Sequence, residues 1–201
     1  MNLSAWKSAL SNGGSLIYEL GLKMLRIRRN NQCDSAINEI LLYGAENQEH
    51  QKQIGLNNLL CIYYVILHAS SSVDVCVPSL TSDTLTKCLI SVRQKNKVSV
   101  RIVIHSSEDF HNLQLFAQNG IEVKVMRPAV RLAHEFVLVD GRAGDAVAAL
   151  GALDYDTARL NCNRDATLLS SDPALITALN REFERVWNSI PELTPTKTDQ
   201  V

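Results

Sequence analysis

The chain lacks a charge of either sign to act at long range. Its 20 Lys and Arg stand against 21 Asp and Glu, for a formal net charge of -1. A protein so balanced has no global field to draw it onto nucleic acid or lipid, so such binding has to come from a local patch. It also lacks any Cys-x2-Cys pair. The five cysteines, Cys33, Cys61, Cys76, Cys88 and Cys162, are odd in number and scattered. That argues against a disulfide framework and against a zinc site, and for buried thiols in a reducing compartment. No secretory signal, internal repeat or low-complexity segment is visible. Nor is there an unbroken apolar run of the roughly 20 residues that a spanning helix needs. The best stretch, Leu16 to Leu25, is broken by Glu19 and Lys23, and extending it back to Ala5 adds Lys7 and Asn12.

What remains is a chain of 201 residues, 46% of them hydrophobic. That suits one compact domain with a full core. We read residues 1–30 as an N-terminal helix, 31–190 as the domain and 191–201 as a disordered Pro/Thr-rich tail. Arg26, Arg28 and Arg29 follow the apolar N-terminal stretch directly. Residues 5–29 therefore read either as a degenerate membrane anchor or amphipathic surface helix with a basic flank, or as an ordinary packing helix.

Strand and helix patterns alternate through the domain. Period-two, β-branched stretches predict strands at Ile37 to Tyr43, Ser72 to Val77, Val98 to Ile104, Ile121 to Val125, Glu135 to Val139, Ala146 to Leu150 and Ala166 to Leu169. Helical spacing and cap-like residues predict helices over Leu56 to His68, Ser82 to Lys95, Asp109 to Gln118 and Pro173 to Trp187. The alternation implies an α/β fold, a mixed sheet flanked by helices on both faces.

One stretch carries most of the functional information. Ala133-His134-Glu135-Phe136-Val137-Leu138-Val139-Asp140-Gly141 has the outline of a His-x-Lys-x4-Asp phosphodiesterase motif on a strand that ends in an Asp-Gly turn. The His position holds Ala133 and the Lys position holds Glu135. Reading the motif one residue later, on His134, puts Phe136 and Gly141 in the other two positions. Alternation along a strand also turns His134 away from the face that residue 133 serves.

Further segments agree in order and spacing. They are Ser72 to Cys76, Val98 to Val103, Asn119 to Val123, Gly151-Ala152-Leu153-Asp154-Tyr155, Asn163-Arg164-Asp165 and Phe183 to Trp187. Together they resemble the phospholipase D superfamily, and most closely the Zucchini-type mitochondrial cardiolipin hydrolases, over about 115 residues. The resemblance implies a dimer in which a motif His attacks phosphorus, the Lys neutralises phosphate oxygens, the Asp orients the imidazole and the partner's His is the general acid. It implies no cofactor, and a setting in piRNA biogenesis on the cytosolic side of the mitochondrial outer membrane, with the cytoplasm as the alternative.

This chain departs from that pattern where the chemistry lies. No catalytic set is intact at Ala133, Glu135 and Asp140. Ala152 and Asp154 replace the Ser and Asn of the second phosphate-binding segment, and extra residues around Gly144 separate it from the motif. The family's small Cys/His zinc loop has no cysteine in the matching region 44–58, so no metal site is expected. We expect a binding or dimerisation protein, pairing with itself or with an active paralogue, with Arg131, His134, Asn163 and Arg164 as candidate contacts for single-stranded RNA or anionic lipid. His105 at the end of its strand is a further groove candidate. Two structural readings stand beside these: Asp140 as a turn residue, and Glu135 paired with Arg131 or Arg164. The alternative is an enzyme, residual or metal-dependent, in which Glu135, Asp140 and Asp154 recruit a divalent cation.

Overall fold

The computed structural model describes residues 36–42, 48–105, 110–126, 132, 134–151 and 166–190. The segments read as an N-terminal helix and a C-terminal tail lie outside these. Seven strands form one sheet: β1 (Asn38–Leu42), β2 (Ser72–Val77), β3 (Ser99–Ile104), β4 (Glu122–Val125), β5 (Phe136–Val139), β6 (Val147–Gly151) and β7 (Ala166–Ser170). Among the described residues four helices accompany them: α1 (Gln48–Leu67), α2 (Asp83–Asn96), α3 (Phe110–Gln118) and α4 (Pro173–Ser189).

The sheet order is β1-β7-β6-β5-β2-β3-β4. β2, β3 and β4 are parallel, whereas β5, β6, β7 and β1 pair antiparallel in turn. The mixed sheet with flanking helices agrees with the expected fold class. Most boundaries fall within a residue or two of the sequence reading. α1 starts eight residues earlier than expected because its first turns, Gln48 to Gly55, are polar and carry no apolar period.

The two faces of the sheet carry different cores. Val73, Val75, Val100, Ile102, Val137, Val139 and Ala149 pack with Leu59, Tyr63 and Ile66 of α1, Leu85 and Leu89 of α2 and Phe116 of α3. On the other face Cys76, Val103, Phe136, Leu138 and Ala148 pack with Ile176, Phe183, Val186 and Trp187 of α4. β2 runs through the middle and is buried at every position. A strand covered on both sides loses the in-out alternation of polarity and reads as a continuous apolar run.

One buried charge sits in that strand. Asp74 is fully buried and takes Nε and Nη2 of Arg101, its cross-strand neighbour, at 2.8 and 2.9 Å. Arg101 also reaches Glu184 at 2.9 Å, and its guanidinium lies over the rings of Phe183 and Trp187. This cluster pins α4 to the sheet. Ser82 caps α2 by accepting from Leu85 N–H, and Asp172 caps α4 through Leu175 N–H. At the other end of α4, Lys124 Nζ donates to the carbonyls of Trp187 and Ile190. Among the described residues no helix is long and apolar enough to cross a membrane.

Candidate functional site

The strand directions gather seven chain ends on one edge of the sheet. The C-termini of β1, β2, β3, β4 and β6 lie there with the N-termini of β5 and β7. This is the edge on which α/β sheets carry their sites. The stretches that hold Arg131, Ala133, Ala152, Asp154, Asn163 and Arg164 join the sheet here, and those residues lie outside the described ones.

Glu135 immediately precedes β5 and is half-buried, and its carbonyl accepts from Gly151 N–H at 3.0 Å. Gly151 adopts φ +125, and a Cβ there would meet the Ala166 carbonyl oxygen at 2.5 Å. Only glycine fits this close junction of three strand ends.

His134 is exposed and sits on the α4 side. Its Nε2 lies 3.5 Å from Glu182 Oε1, and its ring stacks on Phe136. Glu182 is held by both Nε and Nη2 of Arg185 at 2.7 Å, which keeps its carboxyl below the usual range. Neither Glu182 nor Arg185 stood out in the sequence, because each reads as part of a solvated helix face.

His105 follows β3 on the same edge. Its Nδ1 accepts from the N–H of buried Leu132 at 3.3 Å. Beneath the rim, burial pushes the Cys76 thiol up to about 12, reinforced by Glu182 and offset in part by Arg185. This sulfur is a packing group and not a nucleophile. Among the described residues no cluster of three or more His, Cys, Asp or Glu is placed to hold a metal ion.

Asp140 sits in the turn after β5, as its Asp-Gly sequence led us to expect, with Ala143 N–H donating to its carbonyl at 2.7 Å. It follows the far end of β5, where Val139 pairs with Val73. The strand rise puts it roughly 20 Å from His134. Its carboxylate accepts from the N–H groups of Ser70, Ser71 and Ser72 and from the hydroxyls of Ser70 and Ser71, at 2.7 to 3.1 Å. Burial raises its pKa, but these bonds outweigh burial and the net shift is downward. Its backbone is left-handed at φ +53, which Asp tolerates better than most residues.

Asp140 therefore locks the α1–β2 junction to the end of β5. It cannot orient a side chain at the start of its own strand. Nor can it join Glu135 in an acidic metal pocket, so the three-carboxylate reading fails on geometry. The Ser70-Ser71-Ser72 run is visible in the sequence, but its role appears only once β2 and β5 are known to pair antiparallel.

The comparisons with known proteins decide the family. Residues 62–187 match the model described as "Cardiolipin synthase, PLD-like domain". The chain belongs to the phospholipase D-like family. Similar curated relatives are the mitochondrial cardiolipin hydrolases of Chlamydomonas reinhardtii, 27% identical over 124 residues, and of Homo sapiens, 27% identical over 135 residues. The first match covers 60% of this chain and 53% of that protein, the second 66% and 50%. This phospholipase D-like chain thus spans about half the length of those relatives.

Among solved structures, a phospholipase D family member, Nuc from Salmonella typhimurium, superposes with a TM-score of 0.61 at 16% identity, over 78% of this chain and 97% of its own. NucT from Helicobacter pylori gives 0.59 at 14% identity, over 77% and 98%. At such identities the likeness establishes the phospholipase D-like fold.

Proposed function

We propose that this chain is a catalytically silent member of the Zucchini-type branch of the family, acting by binding and pairing instead of cleavage. The observation that carries the reading is the identity of residues 133 and 135, which precede β5 in the chain. Ala133 stands where the family's chemistry needs an imidazole, and a methyl group has no lone pair with which to attack phosphorus. Glu135 stands where a cation would neutralise phosphate, and its charge opposes one. Loss of a covalent nucleophile alone typically lowers rate by on the order of 10^3 or more. His134 does not substitute, since its ring lies on the α4 side against Phe136 and Glu182.

Two such chains, or one with an active paralogue, would form the family's dimer with at most one working motif, and the active subunit would lack its general acid. The names of the relatives support a mitochondrial setting; piRNA biogenesis at the outer membrane is the context we assign by resemblance to the Zucchini-type branch. Arg131, Asn163 and Arg164 are the contacts we assign to single-stranded RNA or an anionic headgroup, and residues 5–29 to a membrane surface. A net charge of -1 limits general nucleic-acid affinity, which comes mainly from phosphate neutralisation.

Cleavage of single-stranded RNA and of cardiolipin vesicles by the full chain tests the reading, with Ala133→His/Glu135→Lys assayed beside it. Silence of the native chain and metal-independent cleavage by the variant support it. Turnover by the native chain overturns it.

A further inference from the structure

α4 covers only part of the sheet face on which it packs. Directly paired residues of neighbouring strands share a face. The register runs from Ile40 of β1 through Leu168 of β7 and Leu150 of β6 to Phe136 of β5. Phe136 lies in the core beneath α4. Leu150 packs partly against that core, Leu168 is half-buried, and Ile40 is 67% exposed. Leu42, 63% exposed, stands beside exposed Ala166 on the same face. Leu41 between them is buried in the core on the α1 side. Exposure therefore rises strand by strand away from α4, and from Leu150 outward every side chain of this stripe is aliphatic. A contiguous apolar stripe of this kind marks a contact surface.

The chain carries a segment of matching chemistry just upstream of β1. Leu16 to Leu25 is apolar apart from Glu19 and Lys23. At 3.6 residues per turn, Glu19, Lys23 and Arg26 fall together on one narrow side, with Glu19 and Lys23 at the i,i+4 spacing of an ion pair. Ile17, Leu20, Met24 and Leu25 fall on the opposite side. Such an apolar side faces a core. Ten residues of helix are about 15 Å long, close to the roughly 17 Å of a five-residue strand. Residues 26–35 separate the segment from Ala36, where β1 is about to begin. Extended, they span up to roughly 33 Å, whereas β1 and β6 are two strand spacings apart, about 10 Å. The whole stripe is within the reach of the segment.

We infer that the stripe on β1, β7 and β6 is the docking site for residues 16–25 of the same chain. The apolar side of the segment covers Ile40, Leu42 and Leu168, and Glu19, Lys23 and Arg26 face water. The two charges that break the apolar run are then the solvent side of a packed element. The tether decides between this segment and that of a second copy, because a short linker holds its end at an effective concentration of roughly millimolar. The inference goes beyond the assignment of residues 5–29 to a membrane surface, since it concerns the chain free of lipid, and it stands apart from the cleavage reading.

The test is photo-crosslinking in the full chain, purified without lipid or detergent. A benzophenone amino acid replaces Ile40 or, as a control, exposed Lys87 of α2 on the other side of the sheet. Mixing isotopically light and heavy chains separates capture within a chain from capture between chains. Position 40 is expected to capture residues 16–25 of its own chain, and position 87 is not. Tryptic cutting at Lys23 and Arg26 is timed beside it, with the cut at Lys197 as the internal reference. Ile40→Asp/Leu42→Asp is expected to keep the fold by circular dichroism and to speed the cuts at Lys23 and Arg26 at least about tenfold relative to Lys197. Capture of the other chain from position 40 overturns the inference. So does failure to capture residues 16–25, or a cutting rate that the double substitution leaves unchanged.

Discussion

Replacing Asp140 tests how the structure assigns the motif's last residue. Its carboxylate is the shared acceptor for three backbone N–H groups and two hydroxyls, and the residue is 1% exposed. Asp140→Ala leaves the buried Ser72 N–H without an acceptor, which costs about 1–3 kcal/mol. The exposed Ser70 and Ser71 groups recover water and lose only net hydrogen-bond strength, about 1–2 kcal/mol together. The left-handed backbone at φ +53 adds about 1 kcal/mol for a residue with a Cβ and no local polar group.

The expected loss is therefore about 3–6 kcal/mol, a large part of the 5–15 kcal/mol typical of a domain. Asp140→Gly removes the backbone penalty and is expected to recover about 1 kcal/mol of it. Urea unfolding followed by circular dichroism reads both variants.

The pH dependence has a defined sign. The folded pKa is depressed below the ordinary carboxylate value. The contribution is thus complete above about pH 5 and is lost as pH falls through the folded pKa. The difference between native protein and Asp140→Ala should shrink with acid. A loss under about 1 kcal/mol at neutral pH, or a difference that grows on acidification, would refute the assignment.

Two further outcomes follow from the core. Arg101→Met strips Asp74 of its partner inside the sheet and should cost about 3–5 kcal/mol, whereas Asp74→Leu/Arg101→Met should cost markedly less, which a double-mutant cycle by urea denaturation measures. Burial pushes the thiols of Cys61, Cys76 and Cys88 up to about 12, so at pH 8 they should react with a thiol reagent only after urea is added, and rapid labelling of the native protein at any of them would count against this packing.

Most of the fold was legible because its signals are local. Period-two β-branched runs marked β2 and β3, and the cap residues Ser82 and Asp172 marked the starts of α2 and α4. The start of α1 escaped because polar residues carry no hydrophobic period. The site was legible in kind but not in detail. Spacing identified Ala133, Glu135 and Asp140 as motif positions, and strand alternation set His134 on the face opposite residue 133; that this face packs on α4 shows only in the structure. The partners of Asp140 lie 68 to 70 residues away. They meet it only because β5 runs antiparallel to β2, a pairing that no local pattern encodes. The sequence marks that carboxylate as a turn residue; the pairing makes it a clasp between two chain segments as well. The Glu182–Arg185 pair beside His134 was hidden for a similar reason, since helix α4 docks through long-range contacts.

The central claim is that chemistry was lost at the start of β5 while the scaffold persists. The most direct measurement is the single-turnover rate of single-stranded RNA and cardiolipin cleavage in EDTA, for the native chain and for Ala133→His/Glu135→Lys at matched folding. No cleavage is expected from the native chain, and measurable cleavage, with a covalent phospho-adduct on the introduced imidazole, from the variant. Cleavage by the native chain in EDTA that Glu135→Ala or His134→Ala abolishes would contradict that claim.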